Sequence, residues 1–452
     1  MKIQFFGAVD GVTGSRHLVQ IGGERVLLDC GLFQGYKVQR ERNWAPLPPQ
    51  LLDVDAVVLS HAHLDHSGFL PGLVKAGYRG PIYASPATCA LAGVLLMDAA
   101  HLQEEDARRA NRYGFSRHAR ALPLYTRADA LRALAHLRPL PVGREQRIGR
   151  IGVTLTPAGH LLGACSVTLA HGGGERLVFS GDLGRDDDLL MPPPQPVPRA
   201  DVLIVESTYG NRLHPAEDAG ERLAGIIGRT IERGGKLLLP SFAVGRAQAL
   251  LLLLQRLKRR GAIPIELPIF VDSPMALEAT ALYQRHAALM RVPAREMKAL
   301  TDGVTMVATV QQSMRLMRSR GPSVIISASG MATGGRVLHH LKAMAPDARH
   351  HVCFPGFQVG GSRGARLVAG ATEVKIHGDH VPVRAEVSHL ASLSGHADSD
   401  GLMDWMRRLR NVPRQTCVVH GDPDAADALR VRIHDELQWP VRVPELGQTV
   451  EA

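Results

Sequence analysis

Four side chains of metal-ligand type, His61, His63, Asp65 and His66, fall within six consecutive positions immediately after the apolar run Val54–Ser60. That run has the length and the polar boundaries of a buried β-strand. Leaving four such groups at the end of a buried strand costs several kcal/mol unless a partner satisfies them. A chain of this kind must therefore fold around whatever binds there. Two more apolar runs end the same way: Arg176–Ser180 leads to Asp182, Gln415–Val419 leads to His420, and His160 follows Pro157-Ala158-Gly159. The seven residues make a set of imidazoles and carboxylates, which suits zinc. Two ions about 3.5–4 Å apart in such a set clamp the attacking and leaving oxygens of a displaced phosphate. Delivery from strand ends keeps the set rigid. By contrast, with 21 histidines in the chain, an isolated one such as His101, His118, His136 or His286 reads as a surface or core residue.

The stretch from His61 through His63 and Asp65 to His66, followed by His160 and Asp182, resembles the ligand motifs of the metallo-β-lactamase superfamily. Three further stretches resemble motifs A, B and C of its β-CASP subfamily of nucleic-acid processing nucleases. They are Glu206-Ser207-Thr208-Tyr209-Gly210, Ser394-Gly395-His396-Ala397-Asp398 and His420-Gly421-Asp422-Pro423. Pro240–Gln248, Asp272–Ala276 and Ser327–Met331 match other segments of that subfamily, so the resemblance spans nearly the whole chain. Gly356–Arg366 departs from the more usual Gly-Thr-x-Gly-Arg run, and Asp422 stands where Glu is common. Neither departure touches a ligand.

The resemblance implies an α/β fold, an αββα metallo-β-lactamase sandwich with an inserted β-CASP α/β domain carrying a parallel sheet. It implies two Zn2+ per chain. His61, His63 and His160 would hold one ion and Asp65, His66 and His420 the other, with Asp182 bridging both. Asp29, in the superfamily's first motif, would orient a ligand histidine and fix its tautomer. A hydroxide between the ions would attack the scissile phosphorus of RNA, and His396, polarised by Glu206, would protonate the departing 3′ oxygen. The catalytic groups are then Asp182, His396, Glu206 and Asp65, and the products carry 5′-phosphate and 3′-hydroxyl ends. Ser329, Gly330, Gly360 and Gly361 would offer backbone N–H groups to substrate phosphates.

A chain of 452 residues suggests two or three domains. The gap between Asp182 and His420 is too long for a loop. It reads as strand–helix alternation: strands at Lys236–Pro240, Ile269–Asp272, Ser323–Ala328 and Val352–Pro355, helices at Ala247–Arg259, Ala276–His286 and Val337–Ala345. Such alternation means a parallel sheet. The expected division is 1–208 for the first part of the hydrolase domain, 209–385 for the insert and 386–452 for the return, with Met191–Pro198 a surface connection. Lys2–Phe6, His17–Ile21 and Val26–Asp29 read as opening strands, the last two joined at Gly22-Gly23.

Lys and Arg number 53 against 43 Asp and Glu, a net charge of +10 that suits a polyanionic partner. Basic clusters at Arg108, Arg109, Arg112, Arg117 and Arg120, at Arg256 with Lys258, Arg259 and Arg260, and at Arg407, Arg408 and Arg410 are candidates for an RNA path. They read equally as solvated helix faces. Aromatic content of 4% argues against a base-stacking platform. The expected substrate is single-stranded RNA, with a homodimer left open. No apolar run approaches the ~18–20 residues of a membrane span, and no signal peptide is evident. Five scattered cysteines, Cys30, Cys89, Cys165, Cys353 and Cys417, read as free thiols of a reducing cytoplasm. Two other readings compete: a hydrolase of small esters, lactones, thioesters or β-lactams, and a scaffold that has lost its ligands. The inserted domain counts against the first and the intact ligand set against the second.

Overall fold

The structure, a computed structural model, describes residues 1–114, 119–172 and 174–452. Arg117 and His118 lie outside the described residues. The chain forms two compact units, one of residues 1–186, 193–213 and 396–452, the other of 187–192 and 214–395.

In the first unit two sheets share one core. One sheet runs in the order Thr449–Glu451, Lys2–Phe5, His17–Ile21, Glu24–Leu28, Ala56–Val58, Ile82–Ala84, Leu137–Pro139. The other runs Val441–Arg442, Gln415–Val419, Val202–Glu206, Glu175–Phe179, Cys165–His171, Ile151–Pro157, Gln146–Ile148. Period-two alternation turns Ile3, Phe5, Val19 and Val26 of the first sheet toward Val153, Val167, Leu169 and Phe179 of the second. The two-residue hairpin expected at Gly22-Gly23 is present: both glycines have positive φ and Ile21 pairs with Glu24. The helix Pro86–Tyr113 begins at Ser85, whose hydroxyl accepts from the Thr88 amide. Sequence patterning missed this helix, because its buried positions beyond Leu96 are all alanines and make a weak apolar stripe.

The second unit holds a six-stranded sheet, parallel throughout, in the order Val304–Met306, Ile269–Asp272, Ser323–Ser327, Lys236–Pro240, His351–Pro355, Glu386–Leu390. Its central strands Lys236–Pro240, Ser323–Ser327 and His351–Pro355 are buried along their whole length, as parallel strands covered on both faces are. Helix Val337–Met344 packs Val337, Leu338, Leu341 and Met344 against Leu238, Ile325, Val352 and Phe354.

Two boundaries differ from the expectation. Glu386–Leu390 is an edge strand of the second unit, paired with His351–Pro355, so the chain rejoins the first unit at His396 and not at 386. Asp187–Pro192 also belongs to the second unit, where the Leu190 carbonyl accepts from the Arg291 amide at 2.9 Å. Met191 and Val197 are buried, so the proline-rich run is not a bare surface connection. Among the described residues no helix is long and apolar enough to cross a membrane.

Candidate metal centre

Strand ends deliver the ligand-type residues, as their spacing predicts. After strand Ala56–Val58 come His61 and His63, and His63 then caps a one-turn helix, Leu64–Ser67, that carries Asp65 and His66. Helix therefore begins earlier than the apolar stretch at Phe69 suggests, and it puts Asp65 and His66 on one turn. His160 follows strand Ile151–Pro157, Asp182 follows Glu175–Phe179 and His420 follows Gln415–Val419. Two of the residues here, Asp29 at φ +58 and His420 at φ +53, hold left-handed backbone that non-glycine residues seldom adopt. Such strain is typical of positions whose side chain must point one way.

The side chains converge into two groups joined by one carboxylate. His61, His63, His160 and Asp182 bring ligand atoms within 4.8 Å of one another, and so do Asp65, His66 and His420. In the first group His63 Nδ1 lies 3.2 Å from His61 Nε2 and 3.1 Å from His160 Nε2. Asp182 Oδ2 lies 3.5 Å from both His61 Nε2 and His160 Nε2. In the second, His66 Nε2 lies 2.9 Å from His420 Nε2, and Asp65 Oδ2 lies 3.6 Å from His420 Nε2. The other oxygen of Asp182, Oδ1, faces this group, 3.2 Å from His66 Nε2. Four donors bound at about 2.0–2.1 Å around a tetrahedral ion stand about 3.3 Å apart. The first group has that spacing, and its donor set of imidazoles and one carboxylate is that of zinc.

Electrostatics favour a cation site in the first group, whereas burial at His66 is outweighed by Asp182 and Asp29, which hold that ring well above its ordinary pKa. Burial holds the His61 ring well below its ordinary pKa and brings His63 down to about 4, so both stay neutral, the form that binds a metal. Burial alone would raise Asp182, yet His420, His66 and His61 outweigh it and keep the carboxylate well below its usual range. Asp65 is likewise held at about 2, burial being overcome by His420 and His66.

Asp29, fully buried, accepts from His66 Nδ1 at 2.6 Å. Glu206 is also fully buried; its carboxylate accepts the amides of Leu183 at 2.6 Å and Thr208 at 3.3 Å. His396 Nδ1 lies 3.2 Å from Glu206 Oε2, and His396 Nε2 lies 3.9 Å from Asp182 Oδ2. Burial opposes protonation of His396, but Glu206 and Asp182 overcome it and raise the ring to about 9. Three residues near the ligands escaped sequence reasoning: Ser15, Ser60 and Thr208. Thr208 Oγ1 donates to the His420 carbonyl and stands 3.2 Å from His420 Nδ1. Nothing in the pattern marks such hydroxyls except their place beside a motif residue.

Ser329, Gly330, Gly360 and Gly361 belong to the second unit, beyond the C-terminal ends of strands Ser323–Ser327 and His351–Pro355. The Ser329 hydroxyl accepts the amides of Thr333 and Gly334, and a Cβ on Gly330 would lie 2.8 Å from the Phe242 amide nitrogen. Several basic residues already hold acidic partners: Arg108 with Glu105, Arg256 with Glu296, Arg407 with Asp404 and Arg408 with Asp186. His136, half-buried, donates to the Gly80 carbonyl at 2.8 Å, in keeping with a structural residue. All five cysteines are free thiols.

A two-sheet sandwich that gathers a buried His/Asp cluster from its strand ends is the architecture of a metal-binding hydrolase. Residues 10–241 match the metallo-beta-lactamase superfamily, 247–367 the Beta-Casp domain, and 380–444 the Zn-dependent metallo-hydrolase RNA specificity domain. Ribonuclease TTHA0252 of Thermus thermophilus is 41% identical over 95% of this chain and 95% of its own. Transcription termination factor FttA of Methanocaldococcus jannaschii is 32% identical over 95% of this chain and 69% of its own, and that of Pyrococcus abyssi 33% over 100% and 71%. A solved protein of unknown function from Enterococcus faecalis V583, 14% identical, shares the fold with a TM-score of 0.54 over 99% of both chains. The chain belongs to the metallo-β-lactamase superfamily and to its β-CASP branch of nucleases.

Proposed function

We propose that this protein is a zinc-dependent ribonuclease that hydrolyses single-stranded RNA and leaves 5′-phosphate and 3′-hydroxyl ends. One observation carries the reading: the two oxygens of Asp182 face different ligand groups, Oδ2 toward His61 and His160 and Oδ1 toward His66. A carboxylate shared in this way suits two ions. His61, His63 and His160 would hold one, Asp65, His66 and His420 the other. When bound, two zinc ions supply an acidified water and neutralise charge on the phosphate. The chain's own residues supply the rest. Glu206 fixes the His396 ring by accepting from Nδ1. The Nε2–H of His396 is then turned toward the same edge of the centre as Asp182 Oδ2, where it can give its proton to the departing 3′ oxygen. An RNA substrate is supported by the RNA specificity match at residues 380–444, by the ribonuclease relative and by the +10 net charge. Ser329, Gly330, Gly360 and Gly361 are proposed to meet its phosphates.

The test is turnover of end-labelled single-stranded RNA by the purified protein, with zinc and after chelation. Cleavage should require the metal and return when it is restored. Hydrolysis of a lactone or β-lactam with the RNA left intact would overturn the reading.

A further inference from the structure

We propose that Ser60 is a positioning residue that carries the Asp29 carboxylate across to the other half of the metal centre, so that one buried carboxylate fixes an imidazole in each ligand group. This rests on the two-metal reading above. The polarity of the hydrogen bonds determines it. An ionised carboxylate only accepts. Asp29 Oδ2 takes the His66 Nδ1 proton directly at 2.6 Å. The same oxygen accepts the hydroxyls of Ser60 at 2.9 Å and Ser15 at 3.2 Å, while Oδ1 accepts the Ser60 amide at 2.8 Å. Ser60 has one hydroxyl proton, and Asp29 receives it. Toward His61 Nδ1, 3.1 Å away, Ser60 Oγ can therefore only accept. His61 must carry its proton on Nδ1, which leaves the Nε2 lone pair facing His63 Nδ1 and Asp182 Oδ2.

The two histidines thus end in equivalent states by different routes, His66 directly and His61 through a hydroxyl. Asp29 binds His66 itself and reaches His61 only through Ser60, while Asp182 faces both rings at Nε2. The side chain of Ser60 is also packed against the turn that delivers Asp182. Gly181 has φ +56, and a Cβ there would lie 2.6 Å from Ser60 Cβ and 3.1 Å from its Oγ. Without the hydroxyl, His61 Nδ1 loses its acceptor and with it the preference for the metal-binding tautomer.

Loss of an outer hydrogen bond of this kind weakens metal affinity about 10–100-fold. The experiment measures zinc occupancy at each position by anomalous diffraction, in crystals equilibrated with limiting zinc, for the wild type, Ser60→Ala and Asp29→Asn. Ser60→Ala should lose the ion at His61, His63 and His160 first and keep the one at Asp65, His66 and His420, whereas Asp29→Asn should weaken both. Should the alanine variant fail to fold, Ser60→Cys, similar in size and a poor acceptor, gives the same comparison. Wild-type occupancy in the Ser60 variant, or loss at the His66 position first, would overturn the proposal. A wild type that takes up no zinc at either position would remove the two-metal reading itself.

Discussion

At the scale of single residues, Asp182 and His396 have separable tasks although they are neighbours. Asp182 is buried and touches both ligand groups; His396 is bound to Glu206 and only approaches Asp182. Asp182→Asn is therefore expected to lower bound zinc from about two ions per chain toward one or none, since an amide cannot bridge as a carboxylate does. His396→Ala should leave zinc content near the wild-type value and lower turnover by about 10²–10⁴-fold, the usual contribution of a general acid. Metal analysis beside single-turnover RNA cleavage checks both. Loss of zinc in His396→Ala would mean that the two roles are exchanged or shared. The clustering of these histidines and aspartates was legible in the sequence because charged and imidazole groups next to buried apolar runs demand a partner. The hydroxyls of Ser60 and Thr208 were not, because serine and threonine at a strand end are ordinary. Only the direction of their hydrogen bonds gives them a task.

At the scale of elements, short strands bounded by polar residues were readable from polarity alone. Gln415–Val419, Lys236–Pro240 and Ile269–Asp272 have the bounds their apolar runs suggest. Glu386–Leu390 did not stand out as part of the insert, since only its last residue is fully buried and pairing with His351–Pro355 is a long-range event. One ionic junction ties elements of the second unit together. Asp272, at the end of its strand, accepts Arg336 Nη1 at 2.7 Å through Oδ1, and accepts His340 Nε2 at 2.7 Å and Ser313 Oγ at 2.5 Å through Oδ2. The side chains of Asp272 and His340 are buried and that of Arg336 is 20% exposed, so removing the carboxylate leaves a buried imidazole and a partly exposed guanidinium without their acceptor. Asp272→Ala should destabilise this unit by about 3–5 kcal/mol. Amide hydrogen exchange in the strand Ser323–Ser327 should accelerate by about 100-fold or more. Exchange unchanged there would show that the junction is dispensable.

At the scale of the whole molecule, the net charge of +10 is the feature that bears on an RNA chain, and it acts through phosphates. Several arginines are held by acids, so the free energy of binding should come from a limited number of contacts. Binding of single-stranded RNA to the Asp182→Asn variant should weaken with salt, with a log–log slope of roughly 0.7 per phosphate contacted. A salt-independent affinity would contradict a backbone-led mode of binding. The parallel sheet of the insert was legible from strand–helix alternation, whereas the two-sheet sandwich was expected from the resemblance of the motifs and not from apolar runs. The extent of the insert was not, because chain segments on either side of it cross over. The central claim is that water, acting at a two-metal centre, breaks the bond between phosphorus and the 3′ oxygen. Cleavage of a defined single-stranded RNA in ¹⁸O-labelled water, with the products weighed by mass spectrometry, tests it most directly. The account predicts one labelled oxygen in each new 5′-phosphate and a free 3′-hydroxyl on the other fragment; an unlabelled 2′,3′-cyclic phosphate would contradict it.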